Sequence, residues 1–212
     1  MLRSITIVFI LLALLSVPEF ALSTKLKSSW KNPDANSSSL KFEKVLVVAV
    51  IGQEFTRKVA EDKVVKILKE GNSTANAIPS YLVLGQEELK DKDSAKAKIT
   101  EMGFDGAIVL KYAGSQDQRK YDPGEGESVW YPYVGFWGFY SEGWGAVYNA
   151  TTPNDLKVLI ETMLYSIKED KLIWAGISET KNPKNPAKVV AEIAEETTKH
   201  LQKEGLIPKR KN

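Results

Sequence analysis

The chain has 212 residues, with 29 lysine and arginine residues against 27 aspartate and glutamate residues, a net charge of +2. This balance produces no strong electrostatic field, which argues against nucleic acid or an anionic membrane surface as a partner. Cysteine is absent, which excludes disulfide bonds, cysteine nucleophiles and cysteine-ligated metal sites. The hydrophobic content of 43% is ordinary for a globular domain.

Residues 1–23 have the three-part layout of a secretory signal peptide. An apolar run follows Arg3, and Ala21 and Ser23 are small residues at the positions that a signal peptidase reads. The apolar run is shorter than the ~20 residues that span a bilayer. We therefore expect an exported mature chain that begins near Thr24, has no transmembrane span and is periplasmic or secreted. Without a cysteine near the cleavage point, it is predicted not to be lipid-anchored.

Residues 24–41 are polar and predict an extended lead-in, residues 42–207 predict a single α/β domain, and residues 208–212 form a basic tail. In the first half of the domain, dense β-branched runs predict strands, and apolar residues at helical spacing predict helices between them. In chain order we expect a strand at 44–51, a helix at 55–70, a strand at 80–84, a helix between a cap at Asp93 or Ser94 and Gly103, and a strand at 106–113. Right-handed crossovers would make these strands parallel or partly parallel.

The second half of the domain predicts two long strands and a helix. Residues 156–167 and 171–180 are strand-like, and only three residues separate them, so they should form an antiparallel hairpin. Asn185 and Pro186 are suited to begin the last helix, and Gly205 to end it. The prediction is a mixed sheet of about five strands in the order βαβαβ-ββα, with helices packed on the sheet.

A long insert rich in aromatic residues and glycine, residues 114–150, separates the two halves. The chain has five Trp, eight Tyr and seven Phe, and nine of these fall between residues 130 and 148. Connections this long are typically functional or disordered, and aromatic side chains, which supply large apolar area at low entropic cost, are enriched in interfaces. The predicted partner-binding residues are Trp130, Tyr131, Tyr133, Phe136, Trp137, Phe139, Tyr140 and Trp144.

Three interpretations of this insert differ in what its aromatic rings contact. The rings form a docking surface for a protein or an envelope polymer, pack back on the sheet as a second small core, or dip into a membrane. The stretch is too short and too rich in glycine to span a membrane. A pocket between the insert and the sheet would instead suit a carrier of small ligands.

Residue sets for catalysis and metal binding are incomplete. His200 is the single histidine and cannot build a zinc site without further His or Cys ligands. Ser80 does not lie on a nucleophile elbow. Arg57 and Glu61 have the i, i+4 spacing of a surface ion pair, which contributes only about 0.2–0.5 kcal/mol. We therefore predict a protein that is not an enzyme and has no metal and no cofactor, with an enzyme of unknown reaction as the least favoured alternative.

Several short motifs together carry a family resemblance. They are Trp30-Lys31-Asn32-Pro33 before the KVLVVAV strand, Arg57 with Glu61, Ile78-Pro79-Ser80-Tyr81, residues 161–165 and Leu172-Ile173-Trp174. This combination resembles uncharacterised exported bacterial cell-envelope proteins, many of them lipoproteins, whose core is similar to the N-terminal domain of TolB and to curli-secretion assembly proteins. The resemblance implies an α/β sandwich and an envelope location, and it implies no catalytic residues. The chain departs from the lipoprotein members because it lacks cysteine.

These observations lead to one functional expectation. The chain is predicted to be a non-enzymatic, exported cell-envelope protein that binds a protein or envelope-polymer partner through its aromatic-rich insert. The oligomeric state and the identity of the partner do not follow from the sequence.

Overall fold

A six-stranded mixed sheet with three helices packed against it forms the described part of the chain. The computed structural model describes residues 24–36, 38–51, 53–71, 75–85, 88, 91–114, 135–137, 157–183 and 185–207. The elements are β1 (Thr24–Lys31), β2 (Lys44–Val50), α1 (Glu54–Glu70), β3 (Asn76–Pro79), α2 (Lys92–Glu101), β4 (Gly106–Gly114), β5 (Lys157–Ser166), β6 (Lys171–Lys181) and α3 (Pro186–Lys203).

The order of strands across the sheet is β1-β6-β5-β4-β2-β3. β2 pairs in parallel with both β3 and β4. The β4–β5, β5–β6 and β6–β1 pairs are antiparallel. The predicted α/β class, with helices packed on a mixed sheet, is confirmed, and the structure adds one strand to the predicted order.

The added strand is β1, which lies within the segment predicted to be an extended lead-in. It pairs with β6 from Thr24 opposite Thr180 to Lys31 opposite Trp174. Lysine residues recur along β1 in the sequence TKLKSSWK, and lysine is typical of edge strands because it discourages pairing with other chains. This polar composition explains why hydrophobic periodicity does not reveal the strand.

β3 lies four residues earlier than the sequence predicts. The strand expected at 80–84 is found at Asn76–Pro79, and residues Ser80–Leu82 form a 3₁₀ turn instead. The amide of Leu84 donates to the carbonyl of Ser80 at 2.7 Å, which closes the turn. The apolar residues that follow Pro79 therefore belong to a turn, in which Val83 and Leu84 are buried and Leu82 is exposed. The predicted position of the strand was wrong.

The two faces of the sheet are covered by different elements. Alternate residues of a strand point to opposite faces, and β2 is buried on both because its side chains divide between two clusters. One face, the α1–α3 face, packs against α1 and α3, with core residues that include Val45, Val47, Ala49, Val64 and Ile193. The other, the α2 face, packs against α2 and residues of the insert, with core residues that include Leu46, Val48, Ala95, Ile99 and Phe136.

The predicted signals at the ends of α3 are confirmed. The Asn185 side chain accepts a hydrogen bond from the Lys188 amide at 2.8 Å, and Pro186 is the first helical residue. Gly205 follows the helix with φ of 73°, a conformation that glycine adopts without steric cost. In α2 the cap is Asp91 rather than Asp93 or Ser94, and its side chain accepts from the Asp93 amide at 3.1 Å.

Candidate functional site

The aromatic insert leaves the sheet at one end of β4 and meets it again near the other end. Gly114 pairs with Leu159 at the carboxyl end of β4, so the insert begins there. Residues 135–137 lie beside Asp170, which belongs to the turn that joins β5 to β6 at the opposite end of the sheet. The middle of the insert is therefore held about one strand length away from where the insert starts.

Two aromatic rings in the middle of the insert are buried on the α2 face. Phe136 has an exposed fraction of 0% and Trp137 one of 7%. The Phe136 ring packs edge-on against the rings of Trp137 and Tyr165, with centroids 4.9 and 5.7 Å away. The Lys96 ammonium group, from α2, lies 5.6 Å from the centroid of the Trp137 ring. We call Gly135–Trp137 the aromatic anchor.

The backbone of the aromatic anchor is also fixed at its contact with the β5–β6 turn. The Trp137 amide donates to Oδ1 of Asp170 at 3.3 Å. Asp170 has a positive φ of 49°, which an aspartate tolerates better than most residues. A Cβ atom on Gly135 would meet the backbone carbonyl and the carboxylate of Asp170. Any larger residue at position 135 would therefore push the anchor away from the turn.

The predicted partner-binding residues divide into two groups. Phe136 and Trp137 are core residues in the structure, as the second-core interpretation expects of them. The other six lie outside the described residues: Trp130, Tyr131, Tyr133, Phe139, Tyr140 and Trp144. The prediction of a docking surface therefore depends on these six side chains, which precede and follow the anchor in the chain.

A second feature, the Arg57–Glu61–Ser80 cluster, is buried at the carboxyl ends of β2 and β3. The Arg57 Nε atom donates to Glu61 Oε1 at 3.0 Å, and Nη2 donates to the Ser80 hydroxyl at 2.8 Å. That hydroxyl donates to Glu61 Oε1 at 2.7 Å. All three side chains are buried, and Glu61 has an exposed fraction of 0%. The interpretation of Arg57 and Glu61 as a surface pair was wrong.

The carboxylate of Glu61 also binds two backbone amides. Oε1 accepts from the Ala49 amide and Oε2 from the Tyr81 amide, both at 3.0 Å. One side chain on α1 therefore holds the end of β2 and the turn after β3 in place. The Ser80 hydroxyl accepts a hydrogen bond from Arg57 and donates one to Glu61. It therefore has a structural role and is not exposed as a nucleophile.

A pattern in the sequence could have revealed this cluster. Arg57, Glu61, Val64 and Val65 are all buried residues of α1, and their spacing places them on one face of the helix. A charged pair within the apolar stripe of a helix indicates a buried pair. Phe55, an apolar residue in the first turn of α1, is by contrast 78% exposed.

The described residues contain no group of three or more histidine, aspartate or glutamate side chains placed to hold a metal ion. Among them, no helix combines the length and the apolarity needed to cross a membrane. His200 lies half-buried on α3.

Burial, reinforced by the charges of Glu161 and Asp170, raises the pKa of Tyr165 above its ordinary value of 10.0, so this phenol stays neutral at physiological pH.

Comparison with known proteins shows no matching family model and no matching curated protein. Among solved structures, the PelC dodecamer from Paraburkholderia phytofirmans matches with a TM-score of 0.43 and 8% sequence identity, covering 82% of this chain and 95% of that chain. A variant of the PelC dodecamer from the same organism matches with a TM-score of 0.40, the same identity and the same coverage. At these values the likeness carries no argument about function or assembly.

Proposed function

We propose that this chain is a non-enzymatic, exported cell-envelope protein, periplasmic or secreted, that binds a protein or envelope polymer through the aromatic residues on either side of the aromatic anchor. The observation that carries the proposal is the burial of Phe136 together with the contact between residues 135–137 and Asp170. These contacts fix the middle of a long aromatic segment on the sheet.

A fixed midpoint matters because binding has to order the groups that make contact. Trp130 is five residues before Gly135, and Trp144 is seven residues after Trp137. A binding segment with a fixed midpoint loses less conformational freedom on binding than one fixed only at its two ends, and preorganisation of this kind increases affinity. Tyrosine and tryptophan combine apolar area with a polar group, which suits both protein and polymer partners.

The proposal that the protein is not an enzyme rests on how its buried polar groups are used. The Arg57–Glu61–Ser80 cluster combines a guanidinium, a carboxylate and a hydroxyl, types of group that hydrolytic enzymes use. Here each of these groups binds another member of the cluster, and Glu61 also binds backbone amides. Their arrangement holds strand ends and does not present a nucleophile to a substrate.

The test compares capture by three versions of the mature chain, residues 24–212. The first is unaltered. The second carries Trp130→Ser and Trp144→Ser, which leave the anchor intact. The third carries Phe55→Ser and Leu82→Ser as a matched control, because Phe55 and Leu82 are large apolar residues exposed elsewhere on the molecule. Each is tested for co-sedimentation with purified cell-wall polymer and for capture from detergent-solubilised envelopes, after circular dichroism shows that it is folded.

We expect the unaltered and control chains to capture the same partner and the Trp130/Trp144 variant to lose it. Equal capture by all three chains, or no capture by the unaltered chain, would show that the aromatic residues beside the anchor are not the binding surface. The small-ligand carrier would then be examined by native mass spectrometry of the purified protein.

A further inference from the structure

Three hydroxyl groups are buried between the sheet and α3. They are Thr162 Oγ1 on β5, Ser178 Oγ on β6 and Thr197 Oγ1 on α3, and none has a hydrogen-bond partner among the described residues. Burial of a hydroxyl without a hydrogen bond is costly, and native proteins almost always satisfy such groups with protein atoms or ordered water. Three in one region of the core therefore require an explanation.

The packing of α3 on β5 places two of these hydroxyls opposite each other. Thr162 alternates with apolar residues on the α1–α3 face, and Thr197 lies on the buried side of α3. Two residues along a strand and four along a helix cover similar lengths, about 6–7 Å. Ile160, two residues before Thr162, belongs to the same buried cluster as Ile193, four residues before Thr197. Leu164 and Leu201, at the corresponding positions after these threonines, belong together to another cluster.

The third hydroxyl, that of Ser178, lies on the neighbouring strand β6. Thr162 lies opposite Gly176 in the β5–β6 register. Ser178 is two residues beyond Gly176 and therefore points to the same face. Its Cα atom is a diagonal neighbour of the Thr162 Cα atom, at a separation of about 7–8 Å. The two hydroxyls make no direct hydrogen bond with each other, and this separation suits a bridging molecule.

A polar path connects this place to the surface. The next residue of β6 on the same face is Thr180, whose hydroxyl lies 2.7 Å from that of Thr24. The Thr24 hydroxyl donates to Glu192 at 2.8 Å. Glu192 lies 3.8 Å from the ammonium group of Lys188, which is about half exposed. Buried polar side chains therefore extend from the strand that carries Ser178 to the half-exposed Lys188.

We propose that Thr162, Ser178 and Thr197 form an internal hydration site that binds at least one ordered water molecule beneath α3. A buried water typically makes about three hydrogen bonds, and the site offers three hydroxyls, each both a donor and an acceptor. Such a water joins β5, β6 and α3 in one network. This inference is independent of the proposed binding function.

The experiment detects the water directly. Magnetic relaxation dispersion of ¹⁷O water counts long-lived internal waters, and water–protein cross-relaxation in isotope-labelled protein locates them. We expect the unaltered protein to show cross-relaxation between water and the amide protons of residues 162, 178 and 197. In Thr162→Val/Thr197→Val this signal should disappear, and Tm should fall by about 2–4 °C, the shift that a loss of about 1 kcal/mol produces in a chain of this size.

Thr198→Val is the matched control. The Thr198 hydroxyl already donates to the carbonyl of Ala194 at 2.7 Å, so this variant should keep the water signal. The absence of long-lived water at the site in the unaltered protein would overturn the proposal by itself, even if the double variant does not fold. An unchanged water signal in a folded double variant would also overturn it, because the water would then be held by other groups.

Discussion

On each face of the sheet, a group of residues fixes segments of the chain to the sheet, and the two groups use opposite types of interaction. On the α1–α3 face, the Arg57–Glu61–Ser80 cluster holds the ends of β2 and β3 with charged groups and hydrogen bonds. On the α2 face, the aromatic anchor holds the insert with buried apolar rings and with contacts to Asp170 in the β5–β6 turn. The polar cluster joins Arg57 to Ser80, 23 residues apart, and the anchor joins Trp137 to Asp170, 33 residues apart.

Mutations in the polar cluster and in the aromatic anchor are expected to destabilise the fold in different ways. Loss of one member of the polar cluster leaves other polar groups buried and unpaired, which is energetically severe. Loss of one ring of the anchor leaves a cavity, which the surrounding chain can partly fill. Three variants test this difference.

The largest effect is expected from Glu61→Ala. The change leaves the Arg57 guanidinium, the Ser80 hydroxyl and two backbone amides without their acceptor. Removal of one partner of a buried ion pair costs about 3–5 kcal/mol, and we expect the upper end of that range in urea unfolding. Glu54→Ala is the matched control, because Glu54 forms the same i, i+4 pair with Lys58 on the exposed side of α1, and it should change stability far less. Similar losses for the two variants would contradict the buried role of Glu61.

A somewhat smaller effect is expected from Phe136→Ala. Deletion of a fully buried Phe costs about 3–5 kcal/mol, and we expect about 3–4 kcal/mol because the insert can shift toward the cavity. Chemical denaturation gives the loss, and Phe136→Leu should recover most of it. A loss below about 1 kcal/mol, as at a typical surface position, would show that the insert is not held by this ring.

The smallest effect appears only at alkaline pH and involves Tyr165, which contacts the Phe136 ring. Burial raises the pKa of Tyr165 above 10.0, so the unfolded state loses this proton first as the pH increases. The stabilising contribution is complete below about pH 10 and is lost toward the folded pKa, by up to ~1.4 kcal/mol per pH unit. Tyr165→Phe should remove this part of the decline in an unfolding series from pH 8 to pH 11. An unchanged slope in the variant would contradict the assignment.

Most elements of this fold could be predicted from hydrophobic periodicity and capping residues. α3 illustrates this, because Asn185, Pro186 and Gly205 are local signals that the structure confirms. β1 could not be predicted, since an edge strand with lysine residues has the composition of a loop. β3 was misplaced because the turn after it has an apolar composition similar to that of a strand.

The candidate site was predictable only in part. Nine aromatic residues in one stretch mark the insert as unusual, yet nothing in the local sequence indicates that Phe136 is buried. Its burial depends on Asp170 and Tyr165, which lie about 30 residues away and meet residues 135–137 only in the folded chain. The Arg57–Glu61 pair was misinterpreted for a different reason: its i, i+4 spacing was considered without Val64 and Val65, the apolar residues on the same helix face that indicate its burial.

The position of β1 has a consequence for the order of events during synthesis. Among the described strands, β1 pairs with β6 alone, and Thr24 lies opposite Thr180, about 150 residues later in the chain. The hydrogen bonds of β1 therefore cannot form until β6 has been synthesised. Contacts of such long sequence separation slow folding. A nascent chain that ends before residue 171 can assemble β2, β3 and β4 around α1 and α2, but its β1 remains an unpaired, exposed strand until the last hairpin is made.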